Sequence, residues 1–430
     1  MKKVIQTVIA ILFCPLSVVY GQLTIEKCQQ MAQDNYPLVK QYGLIEKSKE
    51  YSLSNANKGY LPQLSLSGKI SYQSDVTELP IKIPNVDIEG MRKDQYQAVL
   101  ELNQTIWDGG AIKTQKRMVR AGAEVDATKL EVDLYQINDR INQLFFGILL
   151  MDAQLKQNNL LQDELQRSYH QVAAYIENGI ANQADLDAVK VEQLNAIQRK
   201  NEMEVTQKAY CEMLSAMIGT KVDNSQQLIK PKEDALLSSY EIKRPELNLF
   251  EKQDAQLDIQ KQMLQAKNMP KFGLFVQGAY ANPGLNMLKN EFTPYYIAGI
   301  RLSWNFGNLY TKKTESKQIE INRNSINVQR ETFLFNTNLE VTQNNNEIEK
   351  LTRLMKDDNE IIKLRTNIRN SAEAKVANGT LTVIEMLREV TAEDQAKQNK
   401  ALHEVQLLMA IYNLKNTTNN KIILEYENSK

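Results

Sequence analysis

The chain has 430 residues, 42% of them apolar, and its 52 basic and 52 acidic side chains balance to no formal net charge. That balance excludes the basic footprint of a nucleic-acid binder and reads instead as the solvated surface of long helices. The 10 prolines leave residues 85–230 and 295–430 without one; because an interior proline costs a helix about 3 kcal/mol, both gaps point to long uninterrupted helices.

In chain order, Lys2 and Lys3, the apolar run Val4 to Val19 and a cleavage site at Val19-Tyr20-Gly21 predict a signal peptide over residues 1–21, hence an exported protein. Cys14 lies inside that run, but Leu12-Phe13 before it lacks the small residue of a lipoprotein site. Cys28 and Cys211 sit in helical pattern and read as isolated thiols. No later apolar stretch reaches the ~18 residues of a spanning helix, so any membrane insertion must be by strands.

Residues 23–58 are helical in pattern with a break at Asn35-Tyr36-Pro37. The period then changes to two: Leu64, Leu66, Ile70 and Tyr72 alternate with small or polar residues. A loop is predicted from Asp75 to Asp94, with Pro80 and Pro84. A second strand carries Tyr96, Ala98, Leu100, Leu102 and Ile106 on one face and Gln97, Glu101, Asn103 and Thr105 on the other, ending at Trp107-Asp108-Gly109-Gly110. One long helix is expected from Ala111 to Glu177. Its two seven-residue series, Leu130, Ile137, Leu144, Met151 and Leu134, Ile141, Ile148, Leu155, predict a coiled-coil seam. After Asn178-Gly179 a helix returns from Ala184 to Ile218, stopped by Gly219.

The same order follows a connector at 220–243. Strands are predicted over Phe272 to Tyr280 and over Tyr296 to Phe306, and a long helix over Thr311 to Ala377. That helix carries the seam Leu334, Val341, Ile348, Met355, Ile362 and a more polar seam at Arg330, Thr337, Asn344. A turn at Asn378-Gly379 precedes a returning helix, Thr382 to Leu414. The two Asn-Gly turns are 200 residues apart. The expected organisation is a signal peptide (1–21), a first repeat (22–219), a connector (220–243), a second repeat (244–415) and a polar tail (416–430).

The strands are about 9–11 residues long, enough to cross a bilayer when tilted. Tyr72, Tyr96, Trp107, Tyr280, Tyr295, Tyr296 and Trp304 cluster near their ends, as in an interfacial girdle. A soluble hairpin would show the same alternation, but export favours a barrel. Four strands cannot close alone and open edges are not tolerated in lipid, so several copies must share a barrel; the wet faces favour twelve strands over eight.

The order helix, strand pair, long helix, glycine turn, returning helix, twice over, resembles the TolC-like outer-membrane efflux proteins across nearly the whole mature chain. The segments that carry the resemblance are Asn178 to Leu186, Asn378 to Leu387, Leu102 to Gly110 and Leu61-Pro62-Gln63-Leu64. It implies a mainly α fold with a membrane β-barrel contribution: a homotrimer with a twelve-stranded β-barrel in the outer membrane and a twelve-helix α-barrel in the periplasm. It further implies an exit duct for drugs or proteins, docked to a periplasmic adaptor and to a proton-driven or ATP-driven inner-membrane pump. The turns Asn178, Gly179, Asn378 and Gly379 would be the docking tip, and Gly179, Asp185, Gly379, Glu385 and Arg388 the entrance. The family often has a second acid where Arg388 stands; Glu385 and Arg388, at i and i+3, read equally as a closing pair or as a surface pair.

His403-Glu404 lacks the second histidine of a zinc-protease helix, and no phosphate loop, paired metal cysteines or nucleophile elbow occurs. Neither an enzyme nor a cofactor is expected. The competing reading is a periplasmic coiled-coil tether with no pore.

Overall fold

A computed structural model describes residues 22–77, 91–223, 228–232, 235–237, 241–287, 289–420 and 422–424. The expected signal peptide, most of the loop containing Pro80 and Pro84, and the end of the tail lie outside these residues. The chain divides into two compact units, each drawing segments from both sequence halves: a helical unit (Met1–Val39, Glu131–Pro245, Phe333–Lys430) and a sheet unit (Lys40–Leu130, Glu246–Thr332).

The elements run α1 (Ile25–Asn35), a 3₁₀ turn (Pro37–Lys40), α2 (Gln41–Lys58), β1 (Gln63–Tyr72), β2 (Asp94–Trp107), α3 (Ala111–Tyr135), α4 (Ile137–Glu177) and α5 (Gln183–Ile218). Then follow β3 (Ala235–Leu237), α6 (Pro245–Lys267), β4 (Lys271–Asn282), β5 (Thr293–Ser303), α7 (Asn308–Ala377), α8 (Val383–Thr418) and β6 (Ile422–Leu424). The fold is mostly helical with a four-stranded antiparallel sheet, order β1-β2-β4-β5, and a two-stranded sheet β3-β6. Among the described residues no helix is long and apolar enough to cross a membrane.

Three expectations are corrected here. The helix expected from Ala111 to Glu177 is divided at Gln136, whose ψ of −19° departs from the usual helical value and whose N–H lies at a long 3.3 Å from the Val132 carbonyl. The buried face of α4 is also wider than a coiled-coil seam. Beside Ile141 and Ile148 it buries Phe145, Phe146, Leu149 and the polar Asn138 and Asn142, because α4 packs against α1, α5 and α8 at once. Each large apolar side chain buried this way contributes about 1.5–3 kcal/mol. Finally, the returning helix continues past Leu414 to Thr418; short strands within the connector and the tail pair as β3 and β6.

The polar groups of residues 416–420 are hydrogen-bonded, and all but Asn419 are buried. Asn416 donates its amide to Asp139, Thr418 Oγ1 donates to the Leu414 carbonyl at 2.9 Å, and Asn419 and Asn420 donate to the carbonyls of Lys243 and Glu241. Opposite them, α1 is tied to α8 through Glu26, which accepts from the Tyr412 hydroxyl at 3.0 Å and from Lys415 at 2.7 Å. Burial pushes the Glu26 carboxyl up, but Lys415 and Tyr412 outweigh it and the net direction is down. Cys28 and Cys211 are buried free thiols, and burial pushes the Cys28 thiol up to about 12, which keeps it protonated.

On α7 burial follows the seam expected to be polar. Thr337, Leu351, Asp358 and Ala372 are buried, while Leu334, Val341, Ile348 and Met355 are half-buried. Partners on α8 make this possible: Asn344 bonds to Thr417 at 3.3 Å, and Asp358 to His403 at 2.7 Å. A polar seam is stable when each group on it meets its complement.

Candidate channel wall and entrance

The sheet has two chemically distinct faces. Strand register places Leu64, Leu66, Ile70 and Tyr72 of β1 beside Leu102, Leu100, Tyr96 and Asp94 of β2 in turn, and the same face continues through Leu274, Val276 and Tyr280 of β4 to Tyr296, Ile300 and Leu302 of β5. These residues are exposed: Ile70 is 80% and Ile300 77% accessible. An apolar face this broad and this open has no place in water.

The opposite face carries a connected polar network. Arg301 Nη1 donates to Glu101 Oε1 at 2.9 Å and to Asn103 Oδ1 at 3.1 Å, joining β5 to β2 across β4. Its guanidinium lies 4.6 Å from the Phe275 ring centroid, and Phe275 in turn lies over Gly299, where an added Cβ would sit 3.0 Å from the ring. Gln97 Nε2 donates to the Tyr295 hydroxyl at 2.9 Å. Among the described residues, strands β1 and β5 are each paired on one side only.

Of the expected girdle residues, Tyr72, Tyr96, Tyr280 and Tyr296 lie on the apolar face toward the end of the sheet where β1 runs out and β2 begins. There Phe292, which sequence reasoning missed, stacks on Tyr280 at 5.4 Å and meets Tyr96 at 6.0 Å. At the other end Trp107 meets Phe272 at 5.8 Å. Two expectations are corrected. Tyr295 points to the polar face, because adjacent strand residues alternate and Tyr296 takes the apolar one. Strand β5 stops at Ser303, so Trp304 and Phe306 lie beyond it, in mutual contact at 4.6 Å, with the Trp304 indole donating to the Asn268 carbonyl.

In the helical unit the two Asn-Gly turns have matching geometry. Gly179 (φ +71°) and Gly379 (φ +70°) occupy the left-handed region that favours glycine. Gly179 N–H reaches the Ile176 carbonyl and Ile180 N–H the Tyr175 carbonyl; Gly379 and Thr380 repeat this to Val376 and Lys375. Each is the Schellman ending, with Asn178 and Asn378 adding a side-chain bond of 2.8 Å to the carbonyls of Ala174 and Ala374. Both returning helices open on reciprocal capping boxes. Asn182 accepts from the Asp185 N–H and Asp185 accepts from the Asn182 N–H; Thr382 and Glu385 do the same, with the Thr382 hydroxyl also donating to Glu385 Oε2 at 2.8 Å.

Glu385 is therefore held by Thr382, and among the described residues no ion pair joins it to Arg388. The Thr382 N–H, then its hydroxyl, hold the Glu385 carboxyl below the usual carboxylate range. The sign follows: the cap bond is present above a pH near the ordinary 4.5 and is lost as pH falls through the depressed value. Thr382→Ala and Asn182→Ala should each destabilise their helix start by about 1 kcal/mol, read as faster amide exchange in the first turns of α8 or α5. Arg388, with Lys375 and Glu389, lines a groove of about 620 Å³ between α7 and α8.

Between the turns, Leu161, Leu165, Val172 and Val189 of the first hairpin pack with Ala372, Val376, Val383, Met386 and Val390 of the second. Beside this core lies a charge cluster not predicted from sequence. Arg369 meets Glu164 at 3.0 Å, Glu373 at 2.8 Å and Glu393 at 2.7 Å; Glu393 also accepts from Thr366 and Lys397. The signal was present, since Arg369 stands one heptad after Ile362 on the predicted seam.

A sheet with one apolar and one polar face and two long helical hairpins are the elements of the TolC-like channel fold. Residues 29–220 match the family model described as outer membrane efflux protein. Over 92% of its length the chain is similar to the solved structure of CusC, with a TM-score of 0.66, 15% identity and 91% of that chain covered. It is similar over 92% to VceC of Vibrio cholerae, at a TM-score of 0.63, 11% identity and 96% of that chain. Over 94% it is similar to the MtrE outer membrane channel of Neisseria gonorrhoeae, at 0.64, 10% and 92% of that chain. No curated protein matches the chain by sequence. The resemblance to TolC-like outer-membrane efflux proteins is thus borne out, by the family match over residues 29–220 and by the shared fold of these channels.

Proposed function

We propose that the protein is the exit duct of a multi-component efflux or type I secretion system, seated in the outer membrane and reaching into the periplasm. Three copies close one twelve-stranded barrel, and their hairpins form a twelve-helix tube. The single observation that carries this reading is the sheet: one apolar exposed face, one polar networked face, and two unpaired edges. Lipid satisfies the first face, a water-filled lumen the second, and only neighbouring copies the third. The helical unit supports it independently, because exposed apolar stripes remain on α5 (Val191, Leu194, Val205) and on α7 (Ile361, Leu364, Ile368). A tether in water has no use for any of these surfaces.

In this reading residues 22–219 and 244–415 are two repeats joined by the connector at 220–243, with the signal peptide (1–21) removed and 416–430 the tail. Tyr72, Tyr96, Tyr280, Tyr296, Trp107 and Trp304 mark the bilayer interfaces. The tips at Asn178-Gly179 and Asn378-Gly379 receive a periplasmic adaptor and, through it, a proton-driven or ATP-driven pump. Gly179, Asp185, Gly379, Glu385 and Arg388 border the entrance, whose acids are oriented by the capping boxes.

Conductance in planar bilayers tests the entrance. Glu385→Ala and Arg388→Ala are each expected to raise the open fraction; if both conduct as the parent does, these residues do not gate. A protein that fractionates without detergent and conducts no current would overturn the duct itself.

A further inference from the structure

The sheet unit contains a cavity of about 790 Å³ that the duct reading leaves unassigned. It lies where the end of α2, the start of α3, the end of α6 and the start of α7 meet. Its floor is apolar, formed by Ile112, Met118, Met263, Leu264 and Ile319, and Leu264 and Ile319 belong to a small buried cluster with Leu257. Amide side chains, Gln115 and Gln260 among them, stand around it. Methionine pairs of this kind adapt to flat or irregular apolar guests.

The charges at the rim decide what kind of guest fits. Lys267 and Glu315 cancel, being paired at 3.2 Å. Asp108, in the adjoining smaller pocket, accepts from the backbone N–H groups of Gly110 and Ile112 and so serves as a helix cap. Arg301 is committed to Glu101. Lys271 remains: it lines both cavities and no ion pair engages it among the described residues. Strand register puts Lys271 on the polar face of the sheet, since Lys271 pairs with Ser303 and Gly273 with Arg301. An apolar pocket bordered by one ammonium that no ion pair engages among the described residues suits an amphipathic organic anion.

We infer that this cavity is a cargo subsite for apolar organic anions, such as aromatic or short-chain aliphatic carboxylates and sulfonates, on the water-facing wall of the sheet unit. The inference rests on the duct reading in naming the guest as cargo and in calling that wall water-facing. The test is calorimetric titration of 1-naphthalenesulfonate into the full chain embedded in lipid nanodiscs, with empty nanodiscs subtracted. Saturable binding is expected, weakened about tenfold by Lys271→Gln, whose side chain is exposed and whose loss spares the fold. Met263→Trp, which fills the cavity, should abolish binding of both the sulfonate and the neutral 1-naphthalenemethanol, whereas Lys271→Gln should leave the neutral compound unaffected. Met118→Ala, which enlarges the pocket, is the companion should the tryptophan variant fail to assemble; it must alter the affinity for both compounds. No saturable binding, or binding indifferent to Lys271 and to Met263 or Met118, overturns the subsite. Planar-bilayer current from the same preparation separates the two readings: conduction without binding refutes the subsite alone, and binding without conduction refutes the duct alone.

Discussion

Arg369→Ala is expected to cost the helical unit about 3–5 kcal/mol, because it strands Glu393, Glu373 and Glu164 around a position only 18% exposed. The readout is the urea or thermal midpoint of the detergent-purified protein. The loss should depend on pH in a fixed direction. Burial pushes the Glu393 carboxyl up, but Lys397, Thr366 and Arg369 outweigh it and the net direction is down. Its contribution is thus present above the ordinary value of 4.5 and lost as pH falls through the depressed one. Glu373 is raised, first by burial and then by Glu164 and Glu393, with Arg369 opposing. Its ionised form therefore costs stability at neutral pH, and that cost disappears as pH falls through the raised value. Removing Arg369 raises both groups, so the deficit of the variant is largest at neutral pH and shrinks in acid. Arg369→Met with Glu393→Met should recover part of the loss. A deficit independent of pH, with no recovery in the double variant, would show that the cluster acts by packing alone.

The second large effect is expected in the sheet. Leu100 lies on β2, which is paired on both sides, and its side chain is on the apolar face. Leu100→Arg should destabilise the membrane-inserted state by about 2–4 kcal/mol if the residue sits near the bilayer midplane. It should sharply lower the amount of protein recovered in the outer-membrane fraction. Gln277→Arg, one register position away on the polar face, should be tolerated. Equal tolerance of the two substitutions would mean that the apolar face does not meet lipid.

Strand faces were the most legible feature of the sequence, because a period of two needs only the residue itself and its neighbours. Tyr295 shows the limit: an aromatic at a strand end suits a girdle by type and position, yet alternation sends this one to Gln97 on the polar face. The turns were equally local, and the capping pattern was readable in Asn182 to Asp185 and Thr382 to Glu385. The resemblance directed attention to those acids as a gate, whereas the structure engages them first as caps. Long-range complementarity was not legible. Asp358 on a seam looks like a flaw until His403 is seen opposite it, and the polar stretch Asn416 to Asn420 looks like a tail until Asp139, Lys243 and Glu241 are seen to receive it. The same applies to β3 and β6, three residues each and far apart in sequence.

In the proposed duct, neighbouring copies join β1 to β5 and the ring closes at three. Cysteine cross-linking in the outer membrane tests it most directly. Cys28 and Cys211 are replaced by serine, Ser67→Cys is placed on β1, and Ile297→Cys, Gly299→Cys and Arg301→Cys are tried in turn on β5. For at least one pairing an oxidation ladder on non-reducing gels is expected, ending at three chains and collapsing on reduction. A ladder that ends at two chains, that continues beyond three, or that forms at none of the three pairings would contradict it.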